Sequence, residues 1–134
     1  MTTPEGTRVL AIDPGVKTGI ALLVDGRVAA TSIACAPWDG LRNAIRLMDA
    51  TDVVCESGPV FSRHHRAVLE EVERVVREEA EDVQWVQPAQ WKNTPASRGE
   101  NPTGISVHEK DACAIARWYY HAKGATRVEG SHTT

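Results

Sequence analysis

Aromatic side chains are scarce: one phenylalanine, two tyrosines and four tryptophans make up 5% of 134 residues. Three cysteines, Cys35, Cys55 and Cys113, are too few and too widely spaced for a disulfide frame or a zinc site. Each lies in an apolar segment, so all three are expected to be reduced core residues. No apolar run approaches the roughly 20 residues of a membrane span, which excludes a bilayer-crossing helix. The opening MTTPEGTR lacks the apolar core of a signal peptide, so the chain is expected in the cytoplasm. An excess of positive charge is also missing, and a net charge of −3 argues at face value against a nucleic-acid partner. That exclusion lapses if acids form a metal cluster, because two divalent cations would move the balance from −3 to about +1. Internal repeats and low-complexity blocks are absent.

What is present is ordinary for a soluble globular protein, at 42% apolar and 25% charged residues. The length suits one domain over residues 1–134, with 1–6 a loose leader and 125–134 a polar, flexible tail.

The stretch VLAIDPGVKTGIALLVDGRV, residues 9–28, organises the chain. Val9, Leu10, Ala11 and Ile12 read as a strand buried on both faces, ending on Asp13 and the turn signal Pro14-Gly15. A second run, from Gly19 to Val24, leads to Asp25-Gly26, which favours a two-residue hairpin turn into a third strand. Strands are expected at about 7–13, 18–24 and 27–35. Asp39 is a plausible N-cap for a helix on which Leu41, Ala44, Ile45 and Met48 share one face. DVVCE, ending on Glu56, reads as a fourth strand; a right-handed crossover sets it parallel to and beside the first.

Ser57-Gly58-Pro59 breaks the pattern, and a long helix is expected over about 62–80, with a stripe of Val68, Leu69, Val72, Val75 and Val76. DVQWVQ is a fifth strand. The stretch 93–105, with two prolines, two glycines and few apolar residues, predicts a mobile loop. Ser106 and Glu109 form a capping-box signature that opens a helix through about His121. Three strands in hairpin succession, then helix, strand, helix, strand, helix, give an α/β domain with a mixed five-stranded sheet and helices on both faces.

Asp13 and Glu56 end neighbouring strands, and His108 and Asp111 lie three apart in the first turn of the last helix. A strand-end Asp before Pro-Gly is often a turn residue, and an acid in a first helical turn often only complements the helix dipole. Taken together, the four point to a site for hard divalent cations, Mg2+ or Mn2+. Two such ions about 4 Å apart would clamp the attacking and leaving oxygens of a phosphodiester.

AIDPGVKTGIALL, CESGP and HEKDACAIA, taken in order, resemble the three blocks of the RuvC-like branch of the RNase H-like superfamily, over about residues 8–120. The resemblance implies an RNase H-like fold and a metal-dependent endonuclease that resolves four-way (Holliday) DNA junctions, as a homodimer without an organic cofactor, in a bacterial cell or a phage-infected host. Asp13, Glu56, His108 and Asp111 carry over as metal ligands, and Lys92, in PAQWK, resembles a lysine directed at the phosphate near the cut. Arg98 is a candidate for a second such contact. P-x-x-W-K and a short 93–105 segment resemble the compact phage-type form more than the longer bacterial enzymes.

Phe61, the single phenylalanine, precedes Ser62, Arg63, His64, His65 and Arg66, so an aromatic that stacks on an unpaired base has cations beside it to grip phosphates. The alternative is a loop aromatic anchoring the helix start. Lys17 either touches phosphate or is simply solvated, and Trp85, Trp91 and Trp118 are expected in the core. An apolar stripe on the 62–80 helix longer than the sheet can cover would serve a two-fold dimer. Rival readings are a YqgF-like or RNase H-like nuclease acting on RNA, a non-catalytic junction-binding module, and a sugar-kinase-type phosphate loop. Glu56 in CESGP and His108 favour the resolvase branch over YqgF, and 134 residues cannot supply the second domain that a kinase needs.

Overall fold

A computed structural model describes residues 6–57 and 63–132, with side chains as far as Lys123. Its elements, in order, are β1 (Arg8–Asp13), β2 (Thr18–Val24), β3 (Arg27–Ala34), α1 (Asp39–Leu47), β4 (Asp52–Glu56), α2 (Arg63–Glu79), β5 (Val83–Val86), the single turn α3 (Pro88–Trp91), a 3-10 turn (Pro95–Ser97) and α4 (Val107–His132). The sheet order is β3-β2-β1-β4-β5. β1, β2 and β3 pair antiparallel as a meander, while β4 runs parallel to both β1 and β5. This is the α/β arrangement with a mixed five-stranded sheet that the order of apolar runs predicts.

The period-two alternation of a strand divides β1 between two cores. Leu10 and Ile12 face α1 and α2 with Ile20, Leu22, Leu41, Ile45, Val72, Val75 and Val76, all buried. Val9 and Ala11 face the other way, toward α3 and α4, with Leu23, Val54, Val86, Trp91, Ile115 and Ala116. Where α4 crosses β2 the packing is made of small residues, Ala21, Ala112 and Cys113. Gly19 lies on the same side of β2, and a methyl there would fall 2.0 Å from the main-chain oxygen of His108. Only glycine lets the helix come this close.

Turns and caps follow the sequence. Asp25 and Gly26 adopt φ of 50° and 87°, as a tight hairpin turn requires. Ser106 Oγ accepts from the Glu109 main-chain N–H, and Glu109 Oε1 accepts from that of Ser106, completing the capping box of α4. The Arg8 guanidinium donates to the main-chain oxygens of Met48 and Asp49, satisfying orphan carbonyls after α1.

Four expectations need correction. Asp39 is the first residue of α1 rather than its cap, and Trp38 holds the cap position with φ 76° and no side-chain cap bond. Trp38 is buried, and its indole donates to Glu71 Oε2 (3.2 Å), so packing rather than capping chemistry fixes this helix start. Cys35, one residue beyond β3, is exposed, whereas Cys55 and Cys113 are buried. The 93–105 stretch, predicted mobile, is tied down: Thr94 Oγ1 donates to the Trp91 oxygen, Ser97 Oγ to the Thr94 oxygen, and the buried Arg117 to the Glu100 oxygen. Finally, α4 continues through His132 instead of ending near His121. No proline interrupts it, and extending a helix already anchored by packing is far easier than starting one. Of the 1–6 leader, residues 1–5 lie outside the described residues.

Candidate active site

β1 and β4 are parallel neighbours, so both deliver their last residue to the same edge of the sheet. Ile12 pairs with Cys55, and one step further along each strand stand Asp13 and Glu56. Asp13 has the parity of Val9 and Ala11, and Glu56 that of Val54, so both turn toward the α4 face. The close approach at Gly19 sets the first turn of α4 above the start of β2, which follows the Asp13 turn directly. That turn is braced by Thr18, whose hydroxyl donates to the Gly15 oxygen (2.9 Å) and accepts from the Gly15 N–H (3.2 Å).

The electrostatics join the four predicted residues. Burial, the negative charges of Glu56 and Asp111, and a hydrogen bond to Glu56 push the Asp13 carboxyl up to about 8 from an ordinary 3.8, against the opposing pull of Lys92. Burial also raises Asp111, while the positive charges of Lys92 and His108 act to lower it. Asp13 therefore feels Glu56, Asp111 and Lys92, and Asp111 in turn feels Lys92 and His108, so residues remote in sequence are linked at two strand ends and a helix start. Among the described residues, however, no three His, Cys, Asp or Glu side chains are gathered tightly enough to hold a metal ion as they stand. In kind, three carboxylates and one imidazole fit a hard divalent ion. A carboxyl raised by burial and by two neighbouring acids is the mark of carboxylates crowded together.

One residue of this site is missed by a core reading of the tryptophans. Trp91 is buried, as expected, but its indole N–H donates to Glu56 Oε2 at 2.6 Å. The single turn α3 makes this contact possible. Gln87 and Gln90 cap it reciprocally, with the Gln87 N–H donating to Gln90 Oε1 at 2.8 Å. Trp91 then points inward while Lys92, the next residue, is exposed with its Nζ 5.7 Å from the Trp91 ring centre. The signal available in the sequence is adjacency alone: a tryptophan preceding the lysine already singled out.

The remaining predicted contacts are distributed over the surface. Lys17 is exposed in the β1–β2 turn and Arg98 is exposed after the 3-10 turn. Arg63, His64, His65 and Arg66 are all exposed at the start of α2, seven or more residues after Glu56. Phe61 lies outside the described residues. The α2 stripe is largely used by the core: Val72, Val75 and Val76 are buried and Val68 packs against them, with Leu69 half-buried.

No family model matches the chain, and no curated protein matches it. Among solved structures it is similar to T. thermophilus RuvC, in a complex with a Holliday junction substrate, with a TM-score of 0.65. The likeness covers 90% of this chain and 96% of that one, at 16% sequence identity. The fold is RuvC-like. At that identity the shared feature is the path of the backbone, and the chemistry has to be read from the side chains at the sheet edge.

Proposed function

We propose that this chain is a divalent-metal-dependent endonuclease that hydrolyses phosphodiester bonds in four-way and other branched DNA. The observation that carries the reading is the convergence of Asp13, Glu56 and Asp111 on one sheet edge, crowded enough to push Asp13 up to about 8. Carboxylates are costly to bury beside one another unless a cation joins them. A RuvC-like fold supports the substrate class, since T. thermophilus RuvC has been solved with a Holliday junction.

Asp13, Glu56, His108 and Asp111 would hold Mg2+ or Mn2+, two ions in our reading, which when bound supply an activated water and stabilise charge at phosphorus. Asp13 and Glu56 present their oxygens from the ends of two rigid, parallel strands, so their spacing is set by the sheet. His108 and Asp111 approach from the helix that Gly19 admits. Lys92, exposed beside the acids, orients the scissile phosphate and offsets its charge. Phe61 and the basic start of α2 contact the bases and flanking phosphates, and Lys17 and Arg98 extend the phosphate grip. We further infer a homodimer, which suits a substrate of two-fold symmetry, and action within a bacterial or phage-infected cytoplasm.

The test uses labelled four-way DNA junctions, linear duplex and an RNA/DNA hybrid, each with magnesium, manganese or chelator. Paired nicks on the junction, absent with chelator and with Asp13→Asn, are expected. Preferential cutting of the hybrid would assign the chain to RNA, and tight junction binding without cutting in either metal would make it a binding module.

A further inference from the structure

We infer that Trp91 is a positioning residue, whose indole fixes the Glu56 carboxylate for cation binding and whose place in α3 couples that carboxylate to Lys92. The inference rests on the proposed metal-dependent reading and adds to it a residue outside the predicted ligand set.

Glu56 is the member of the cluster with the least backbone to hold its carboxylate. Asp13 has one methylene between backbone and carboxyl, whereas Glu56 has two and a further free torsion. The Trp91 indole donates its N–H to Oε2 at 2.6 Å, and because an indole donates and never accepts, this bond is compatible with whatever the other carboxylate oxygen binds. It keeps one Glu56 oxygen occupied and the carboxylate plane fixed.

The indole is itself immobile. Trp91 packs among Val9, Ala11, Val54, Val86, Ile115 and Ala116, and its backbone is held by the Gln87–Gln90 cap. The Lys92 N–H donates to the Pro88 oxygen (2.9 Å) and the Thr94 hydroxyl donates to the Trp91 oxygen (2.7 Å). One rigid turn therefore sets a ligand-orienting donor on its inner side and the phosphate-directed lysine on its outer side. Partners of this kind, beyond the ligands themselves, are typically worth about 10- to 100-fold in metal affinity or activity.

The experiment compares the parent full chain with Trp91→Phe, which keeps a buried ring and deletes the N–H. A second variant, with benzothienylalanine introduced at position 91, keeps the bicyclic shape and replaces the N–H by sulfur. Manganese affinity is measured directly by titration calorimetry, junction affinity in chelator, and single-turnover cleavage in saturating metal. The expected result is unchanged melting for the benzothienylalanine variant, junction affinity within about twofold, and manganese affinity lowered about 10-fold or more with a matching fall in cleavage rate. Manganese affinity and cleavage rate both within twofold of the parent in the benzothienylalanine variant would overturn the inference, whatever Trp91→Phe does to folding. A parent that binds manganese but cuts no junction would refute the proposed function while leaving the comparison of manganese affinities to decide the role of Trp91.

Discussion

Gly19 and His108 are in backbone contact: a methyl on Gly19 would sit 2.0 Å from the His108 main-chain oxygen and 2.4 Å from its carbonyl carbon. Neither atom belongs to a side chain that can swing aside. Gly19→Ala must therefore lift the first turn of α4 from β2, and with it His108 and Asp111. We expect a loss of about 1–3 kcal/mol in stability, the usual range for forcing an extra methyl into a packed site. Junction cleavage should fall at least tenfold even at temperatures where the variant is fully folded. Gly40→Ala is the control, since its methyl would meet only the Ala34 side chain at 3.7 Å, an ordinary contact. Urea denaturation and cleavage rates for the two variants check this; equal behaviour would mean that α4 does not depend on the close approach.

Asp13 should trade stability for function, and the trade has a definite pH window. Its carboxyl is raised from 3.8 to about 8 in the folded chain, so the folded state binds this proton more tightly than the unfolded one. The associated stabilisation is complete below pH 3.8 and drains away as pH rises through about 8. Asp13→Asn removes the ionisation. In chelator, the variant should therefore melt several degrees above the parent at pH 8, where a few kcal/mol are at stake, and the gap should close toward pH 4. Cleavage should be abolished throughout. Thermal melts across this range decide it, and a gap independent of pH would show that Asp13 is not crowded.

Most of this site was legible because its geometry is periodic. Asp13 and Glu56 each end an apolar run, and the alternation of β1 and β4 turns both to one face without any further information. His108 and Asp111 follow from helical spacing behind a capping box that forms as read. The cluster's electrostatic unity was not legible, because it depends on how closely α4 approaches, and Gly19 reads in the sequence as one glycine among ten. Trp91 was hidden for a related reason: burial and hydrogen bonding are independent properties of an indole, and a core pattern reports only the first. The 93–105 stretch looked mobile by composition, yet the Thr94 and Ser97 hydroxyls bond to nearby backbone and the Glu100 main-chain oxygen accepts from Arg117, which composition cannot reveal. Asp39 had the chemistry of a cap, but the buried Trp38 took the position through packing.

Glu109 links the capping box to the sheet, and its removal should loosen the site from outside. Its carboxylate accepts from the Thr31 hydroxyl at 2.6 Å and from the Ser106 N–H at 3.1 Å, and these donors hold it below the ordinary 4.5, the Thr31 hydroxyl foremost. Glu109→Ala removes both bonds and leaves the Ser106 N–H without its partner, at an expected loss of about 1–2 kcal/mol. Glu109→Gln can still accept from the Ser106 N–H with its amide oxygen and can donate from its NH2 to the Thr31 hydroxyl, so it should lose less. A carboxylate with a lowered pKa contributes stability above its unfolded value and loses it as pH falls through the folded value. The advantage of the parent over Glu109→Gln should thus be full at pH 7 and shrink once pH drops below 4.5. Because Glu109 is the immediate neighbour of His108, we expect Glu109→Ala also to slow junction cleavage several-fold, with the Gln variant near the parent. Urea midpoints at pH 7 and pH 3.5, beside cleavage rates at pH 7, check both halves; a Gln variant as impaired as the Ala variant would mean that charge at the helix start, rather than the paired hydrogen bonds, holds α4 in place.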